Sequence, residues 1–372
     1  MVIRPDRRSV LIAGGASFLL GGQRAAPRQK IDLWDNATGP HLRGAVLPQR
    51  RVYPAIDGDT FLGPGPVGTP ITDAALASLA QSGANLALLS HPGIFTETRP
   101  YRIDHQIADH LALLVERCAS YGLYSVIGFR TGPGRSEFTF HRDDGDSWFP
   151  ASMIDERVWN DSEAQAGWAE MWIHTARQFE SNPSIAGYLP MVEPNGSHIA
   201  RRSPWPQMAR QMALAIREID TLTPLLISPD GYANLSNENE LDLAGIENTV
   251  LAIHDYSPFA YTHAHAPSAA SFSVETAQVL RPVSDRWMVG EWGVRRWAHN
   301  APEFARLRLQ SMEEQGANSA WFSWPSGWGN YEQVENGWNP FFGNDPDATS
   351  RVRDAPMMDV LRRYWSRNTL RP

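Results

Sequence analysis

The chain has 372 residues, 42% of them hydrophobic and 20% charged, which is typical of a globular protein with a large core. Its formal net charge of −8 argues against nucleic acid or an anionic membrane surface as a partner. Cys118 is the single cysteine, so no disulfide forms within the chain. Its position on an amphipathic helix predicts a buried thiol without a chemical role.

The N-terminus has the pattern of an export signal. Arg7 and Arg8 stand directly before an apolar stretch at 10–20, and small residues follow it up to Ala26. The stretch is too short to span a bilayer stably, so we expect no membrane insertion once a signal over residues 1–26 is removed. The paired arginines favour twin-arginine export, and hence a periplasmic or secreted protein, over a Sec signal or an uncleaved anchor. Residues 27–42 are polar and irregular, which predicts a linker.

Strand and helix patterns alternate over residues 43–372. Short apolar runs predict eight strands, at 44–48, 85–89, 123–129, 185–192, 225–228, 250–254, 288–291 and 319–324. Helix-length segments separate most of them, at 73–81, 104–121, 162–180, 204–219 and 302–315, and a last helix is predicted at 354–364. Regular alternation predicts a parallel sheet, and eight units predict a single-domain α/β fold, the (β/α)8 TIM barrel.

Two long loops, 131–160 and 325–353, follow the third and the eighth predicted strand. In a β/α barrel such loops lie on the catalytic face, where substrate specificity is usually built. No Gly-x-Gly-x-x-Gly sequence opens a helix, which argues against a dinucleotide-binding sheet. We therefore expect a ligand site at the carboxyl ends of the strands.

Two glutamates end predicted strands. Glu193 follows the fourth strand and Glu291 ends the seventh, and a Pro or Gly follows each within two residues. The carboxyl tips of barrel strands face the active site, so both carboxylates are expected there. One proton donor and one nucleophile of this kind are what a glycosidase requires. A helix cap or a surface ion pair explains either residue alone, but it explains the matched pair less well.

Four short motifs stand in order at the ends of the expected strands: Val192-Glu-Pro194, His254-Asp-Tyr-Ser-Pro-Phe259, Gly290-Glu-Trp-Gly293 and Trp321-Phe-Ser-Trp324. Together they resemble glycoside hydrolase family 5, the cellulase-like retaining glycosidases, over roughly residues 44–365. The resemblance implies that Glu193 is the general acid/base, with a raised pKa, and that Glu291 is the ionised nucleophile. It implies no cofactor and no metal.

The resemblance also indicates residues that bind the sugar. Tyr256 is expected to hydrogen-bond the nucleophile, and His254, on the same strand face, to contact the sugar; a satisfied core histidine is the alternative. Trp324 at the end of strand eight resembles the family's platform under the sugar, while Trp321 is expected in the core. Trp292 either lines the cleft or packs in the core.

Two positions depart from the family pattern. Where the family has an asparagine before the acid/base, this chain has Val192, so either Asn195 or a similar residue contacts the sugar 2-hydroxyl or the substrate differs. The family's arginine on strand two is also missing, and our hypothesis is that Arg130 on strand three keeps Glu291 ionised instead. The alternative is that Arg130 binds an acidic substrate group or a nearby loop aspartate.

These features predict an exported retaining glycoside hydrolase that cleaves a β-linked glucan, mannan or related oligosaccharide through a glycosyl-enzyme intermediate. The expected partner is an oligo- or polysaccharide bound by a monomer. One alternative is a carbohydrate-binding barrel with a degenerate site, which the missing asparagine and arginine favour. The other is a transglycosylase, which uses the same two glutamates.

Overall fold

The computed structural model describes residues 29–58, 60–328 and 335–372. The barrel strands are β1 Arg43–Pro48, β2 Leu86–Pro92, β3 Tyr124–Thr131, β4 Ile185–Leu189, β5 Leu225–Ile227, β6 Thr249–His254, β7 Trp287–Trp292 and β8 Asn318–Trp321. They form a closed parallel barrel, in which each strand pairs with the next along the chain and β8 pairs with β1. The predicted TIM barrel is confirmed.

The longer helices of the described residues are α1 Asp73–Gln81, α2 His105–Ser120, α3 Ser162–Phe179, α4 Trp205–Arg217, α5 Ala301–Glu314 and α6 Pro356–Trp365. Thr72, Asp104 and Asp161 begin the first three, because the side-chain oxygen of each accepts a hydrogen bond from a first-turn backbone N–H. The helices cover the apolar outer faces of the strands, and this layer forms the larger hydrophobic core.

Shorter helices and 3₁₀ turns lie in the connections: Lys30–Trp34, Asn36–Thr38, Pro54–Asp57, Glu137–Asp144, Ala151–Met153, Arg157–Trp159, Gly196–Ile199, Asp230–Ala233, Leu235–Glu240, Phe259–Thr262 and Glu335–Trp338. Only such short elements connect β5 to β6 and β6 to β7. A small antiparallel sheet, Arg50–Arg51 with Val67–Gly68, follows β1. The helical layer is therefore interrupted on one side of the barrel, while the strand order is complete.

Residues 30–38 pack against the amino-terminal end of the barrel and are not the linker that their polar composition predicts. Trp34 is fully buried with the interior side chains, and its Nε1 donates to the carbonyl oxygen of Ala186 in β4 at 3.0 Å. The Asn36 side chain donates to the carbonyl of Trp287 and accepts from its N–H, at 3.0 and 2.8 Å. The segment therefore closes the amino-terminal end of the barrel, and its Asn36 side chain bonds the backbone N–H and carbonyl of Trp287, the first residue of β7.

The predicted export signal at 1–26 lies outside the described residues. Among the residues that the structure does describe, no helix is both long enough and apolar enough to cross a bilayer.

Two strands end three residues earlier than the sequence predicts. β4 ends at Leu189 rather than at 192, and β8 ends at Trp321 rather than at 324. The backbone N–H of Val192 still donates to the carbonyl of Phe129 in β3, at 2.8 Å, so the chain stays at the barrel rim beyond β4. These irregular ends determine which side chains reach the open face of the barrel.

Candidate active site

Glu193, His254 and Glu291 meet at the carboxyl end of the barrel. His254 is the last residue of β6 and pairs with Glu291 of β7 in the parallel register, while Glu193 lies beyond β4 with a left-handed backbone, φ 50°. His254 Nδ1 lies 2.8 Å from Glu193 Oε1 and 3.5 Å from Glu291 Oε2. One ligand atom from each of the three residues lies within 4.8 Å of the other two. The two glutamates that the sequence predicts as a pair are thus adjacent.

Tyr256, on the loop after β6, donates its hydroxyl to Glu291 Oε2 at 3.2 Å. Thr262 Oγ1 donates to the backbone carbonyl of Tyr256 at 2.6 Å, which fixes the loop. Among the described residues, no protein group bonds the buried Oε1 of Glu291 or the buried Nε2 of His254. Each of these two atoms is therefore available to a ligand.

Burial and neighbouring charges set the ionisation of the pair. Burial raises the pKa of Glu291 to about 7, which His254 and Arg130 oppose and the charge of Glu193 supports. Burial also disfavours the ionised form of Glu193, but the hydrogen bond and charge of His254, with Arg130 and Arg135, outweigh it and lower the pKa. Glu193 therefore favours its ionised form and Glu291 its protonated form, the reverse of the shifts that the sequence predicts, because His254 bonds Glu193.

Arg130 bonds a loop glutamate and also acts on the pair. Its Nη2 and Nε lie 2.6 and 3.0 Å from the two carboxylate oxygens of Glu137, and its Nη1 donates to Ser90 Oγ of β2 at 3.2 Å. Its positive charge lowers the pKa of both Glu193 and Glu291. The carboxylate that pairs with Arg130 is that of Glu137, whereas the alternative prediction named a loop aspartate. Its contact with Ser90 brings the charge to the strand that lacks the expected arginine.

Trp324 does not reach the carboxyl pair. Its side chain is 1% exposed, its Nε1 donates to the carbonyl of Ala75 in α1 at 3.0 Å, and its ring packs against Phe341 and Trp365. The predicted sugar platform is therefore wrong: because β8 ends at Trp321, the chain turns and Trp324 enters the core beneath the helices.

Trp292 packs in the same core. Its ring meets that of Trp321 edge to face, with centroids 5.0 Å apart, and both rings are buried outside the barrel. Successive side chains of a strand point to opposite sides, so Trp292 faces outward while its neighbour Glu291 faces the site. The core alternative for Trp292 is thus confirmed and its sugar-binding assignment is wrong, whereas the core prediction for Trp321 is confirmed.

Asn195 is fully buried and bonds the loop rather than the pair. Its Nδ2 lies 3.2 Å from Glu156 Oε1 and 3.4 Å from the Tyr232 hydroxyl. Val192 packs among the barrel-interior side chains. These contacts fix the amide nitrogen of Asn195, while no described group bonds its buried Oδ1, so its contact with a sugar hydroxyl stays a prediction.

The structure adds four residues that the sequence patterns do not indicate: Glu137, Arg135, Phe322 and Trp338. Arg135 donates to the backbone carbonyl of Glu193 at 2.6 Å. The centre of the Phe322 ring lies 6.5 Å from that of the Tyr256 ring. The centre of the Trp338 ring lies 5.7 Å from that of the Phe322 ring. Three of the four lie in the two long loops, so charged and aromatic residues there were the available signal.

The central cluster offers two carboxylates and an imidazole, a donor set that also suits a metal ion. Arg130 and Arg135, however, act on Glu193 with their positive charges, which disfavours a cation at this place. Two adjacent carboxyl groups whose pKa values are shifted in opposite directions instead suit proton transfer by one and nucleophilic attack by the other.

A parallel eight-stranded barrel with two adjacent carboxyl groups beyond β4 and on β7 defines the class of the barrel glycosidases. A family model described as cellulase (glycosyl hydrolase family 5) matches residues 59–327. The chain belongs to this family and is a glycoside hydrolase.

Named relatives are similar over different lengths. A beta-xylosidase of Phanerodontia chrysosporium is 29% identical over 167 residues, which are 44% of this chain and 32% of that protein, so the match spans about a third of its length. The structure of an endoglucanase from the hyperthermophilic Thermotoga maritima has a TM-score of 0.62 at 16% identity, with 90% of this chain and 100% of that chain covered. A structure described as a glycoside hydrolase has a TM-score of 0.66 at 16% identity, over 87% of this chain and 99% of the other. At these identities the structures show a shared fold.

Proposed function

We propose that the protein is a retaining glycosidase in which Glu193 is the general acid/base and Glu291 the nucleophile. The observation that carries the proposal is the short distance between the two carboxyl groups, which have oxygens within 4.8 Å of each other. Retaining enzymes hold their carboxyl groups about 5 Å apart, whereas inverting enzymes leave room for a water at about 6.5–9.5 Å.

The proposed reaction has two steps. Glu193 gives its proton to the glycosidic oxygen while Glu291 attacks the anomeric carbon, so the glycosidic bond breaks and a glycosyl-enzyme ester forms. In the second step Glu193 takes a proton from water, the water oxygen attacks the same carbon, and the ester bond breaks. The product keeps its anomeric configuration.

The proton has to reach Glu193 before the first step. In the free site His254 bonds Glu193 and favours its ionised form, while burial favours the protonated form of Glu291. A glycosidic oxygen beside Glu193 accepts a hydrogen bond from its protonated form, while Tyr256 and Arg130 favour the ionised form of Glu291. We infer that substrate binding reverses the proton distribution, with the His254 ring able to bond either carboxylate.

For the substrate we propose a β-linked glucan, mannan or related oligosaccharide. Two similar proteins, an endoglucanase and a beta-xylosidase, support glycans of this kind. We further propose that the enzyme acts as a monomer in the periplasm or outside the cell. Amino-terminal sequencing of the protein recovered from the periplasm or medium tests the proposed location. A mature protein that lacks residues 1–26 supports export, and retention in the cytoplasm contradicts it.

A fluoro-sugar inactivator tests the mechanism. A 2-deoxy-2-fluoro glycoside with a good leaving group traps the glycosyl-enzyme, and peptide mapping then locates the sugar. We expect the label on Glu291 and none on a Glu291→Gln variant. Hydrolysis followed by NMR is expected to give the retained anomer first.

The same experiment separates the alternatives. A label at another residue contradicts the assigned nucleophile, and an inverted first product contradicts the retaining mechanism. Binding of sugars without label or turnover across a panel of inactivators supports a carbohydrate-binding barrel. Transfer products with added acceptor sugars, at the expense of hydrolysis, support a transglycosylase.

A further inference from the structure

Arg135 is a fully buried arginine that binds the backbone on which Glu193 stands. Its Nη2 donates to the carbonyl oxygen of Glu193 at 2.6 Å, and its Nη1 donates to the carbonyl oxygens of Val192 and Arg130 at 2.8 and 2.9 Å. One guanidinium thus joins the end of β3 to the two residues that carry the proposed acid/base beyond β4.

The backbone of Glu193 requires such a contact. Its φ of 50° lies in the left-handed region, which a residue with a side chain adopts at an energetic cost and keeps only when the surroundings fix it. Because Glu193 lies beyond the last residue of β4, no β4 ladder hydrogen bond fixes it. Arg135 instead binds the two backbone carbonyl oxygens that flank the nitrogen and α-carbon of Glu193. These are the carbonyl oxygen of Val192 and that of Glu193 itself.

Arg135 itself is fixed by its own loop. Its N–H and carbonyl exchange hydrogen bonds with Gly132 at 2.9 and 3.0 Å, so the turn after β3 is closed. Gly134 has φ 65° and an N–H that donates to the carbonyl of Glu97 at 2.8 Å. The guanidinium carbon lies 4.7 Å from the centre of the Phe140 ring, which covers one side of the charge. The arginine is therefore held before any substrate arrives.

We propose that Arg135 is a positioning residue that aims the Glu193 carboxyl at the glycosidic oxygen by holding its left-handed backbone. The proposal rests on the assignment of Glu193 as the acid/base. Arg135 touches no reacting atom, so its loss should weaken proton donation to the leaving group and leave nucleophilic attack by Glu291 intact.

The dependence of the rate on the leaving group tests this role. A dinitrophenolate leaves without a proton donor, whereas an unsubstituted phenolate depends on general acid catalysis. With kcat/KM, which reports the first step, we expect Arg135→Met to lose about 100-fold on the phenyl glycoside and less than about threefold on the dinitrophenyl glycoside. Arg135→Lys keeps the charge but only a single nitrogen, and its losses should lie between those of Arg135→Met and the unmodified enzyme.

Two further variants make the result specific. Arg217→Met is the matched control, because Arg217 also binds three backbone carbonyls, those of Asp220, Glu247 and Asn248, but far from the site and at the base of β6. It should show similar small losses on both substrates. Glu193→Ala is the reference and should show the same leaving-group dependence as Arg135→Met, only steeper.

Arg135 also lowers the pKa of Glu193 through its charge, so full recovery of both rates in Arg135→Lys would assign the effect to the charge and overturn the positioning role. If Glu193→Ala loses equally on both glycosides, the assignment of the acid/base fails. If Glu193→Ala shows the dependence but Arg135→Met loses equally on both, or loses nothing, only the positioning role is overturned. If Arg135→Met does not fold, as judged by near-ultraviolet circular dichroism, the same comparison with Arg135→Lys decides.

Discussion

Arg130 has an effect on catalysis that can be separated from its effect on stability. Its charge lowers the pKa of Glu291, and its guanidinium is bonded to both oxygens of the buried Glu137. Removal of the charge should raise the pKa of both Glu193 and Glu291, and both limbs of the pH profile of kcat/KM, which reports the free enzyme, should move to higher pH. We expect Arg130→Met to move both limbs upward by up to about one pH unit.

The control variants for Arg130 address its buried partner. Arg130→Met alone removes both hydrogen bonds of Arg130 to the buried Glu137 carboxylate and leaves it His141, whose Nε2 lies 3.9 Å away, which should lower the free energy of unfolding by about 3–5 kcal/mol. The double variant Arg130→Met with Glu137→Leu should recover most of that loss, and Arg130→Lys should keep both limbs of the pH profile in place. A pH profile and turnover unchanged in Arg130→Met contradict the electrostatic role.

The residues that sequence periodicity predicts well are those on regular strands. His254 ends β6, and alternation along that strand puts it on the inner face with Val250 and Ala252. Glu291 lies three residues after the interior Met288, so alternation alone would turn it outward, and the register shift between β6 and β7 at His254 brings it to the inner face. Glu137 and Arg135 lie in the loop after β3, where contacts with carbonyls and a left-handed backbone determine the position of each side chain. No periodicity describes such a loop, so the sequence predicts the pair and not the residues that hold it.

At the scale of elements, the end of β8 shows how one strand boundary changes a site. The sequence predicts a strand to 324, and alternation over that length places Trp324 on the face opposite to Trp321. Because β8 ends at Trp321, both rings enter the core outside the barrel, and the half-buried Phe322 lies next to the ring of Tyr256 instead. A strand end can depend on contacts from distant segments, here the bond from the N–H of Trp324 to the carbonyl of Val46.

The two aromatic residues should therefore respond differently to truncation. Trp324→Ala removes a fully packed side chain and should lower the free energy of unfolding by about 3–5 kcal/mol while leaving KM near its original value. Phe322→Ala should raise KM, because its ring borders the site, and should lower the free energy of unfolding less than Trp324→Ala does. Urea unfolding and steady-state kinetics on the two variants measure both quantities. A raised KM for Trp324→Ala without loss of stability contradicts the core position.

At the scale of the whole molecule, the barrel is closed at its amino-terminal end and carries the cluster of Glu193, His254 and Glu291 at the other. Trp34 and Asn36 close the base of the barrel, although the composition of their segment indicates a linker. The segment needs few apolar residues of its own, because these pack against interior side chains that the strands supply. The family of the chain and the order of its strands follow from local patterns. The closure of the base depends on contacts between residues about 150 and 250 positions apart, which local patterns do not contain.

A histidine pair between β2 and α2 links the stability of the whole barrel to pH. His91 Nδ1 lies 2.7 Å from the carbonyl oxygen of Pro92, which only accepts, so Nδ1 carries the proton. His91 Nε2 then accepts from His110 Nδ1 at 2.9 Å. Burial lowers the pKa of His110 to about 4 and that of His91 well below its ordinary value. Both rings are therefore neutral in the folded protein at neutral pH.

This arrangement predicts acid-induced loss of stability. Each histidine has a pKa of about 6.5 in the unfolded chain, so below that pH the unfolded state binds protons that the folded state excludes. The contribution to stability is complete above about pH 6.5 and is lost toward pH 4, by up to about 1.4 kcal/mol per pH unit for each ring. His110→Asn keeps a donor near the position of Nδ1 but does not titrate, so its free energy of unfolding, measured in urea from neutral to acid pH, should fall less steeply. Parallel curves for the variant and the unmodified protein would show that the pair does not set the acid limit, because the other titrating groups are common to both proteins.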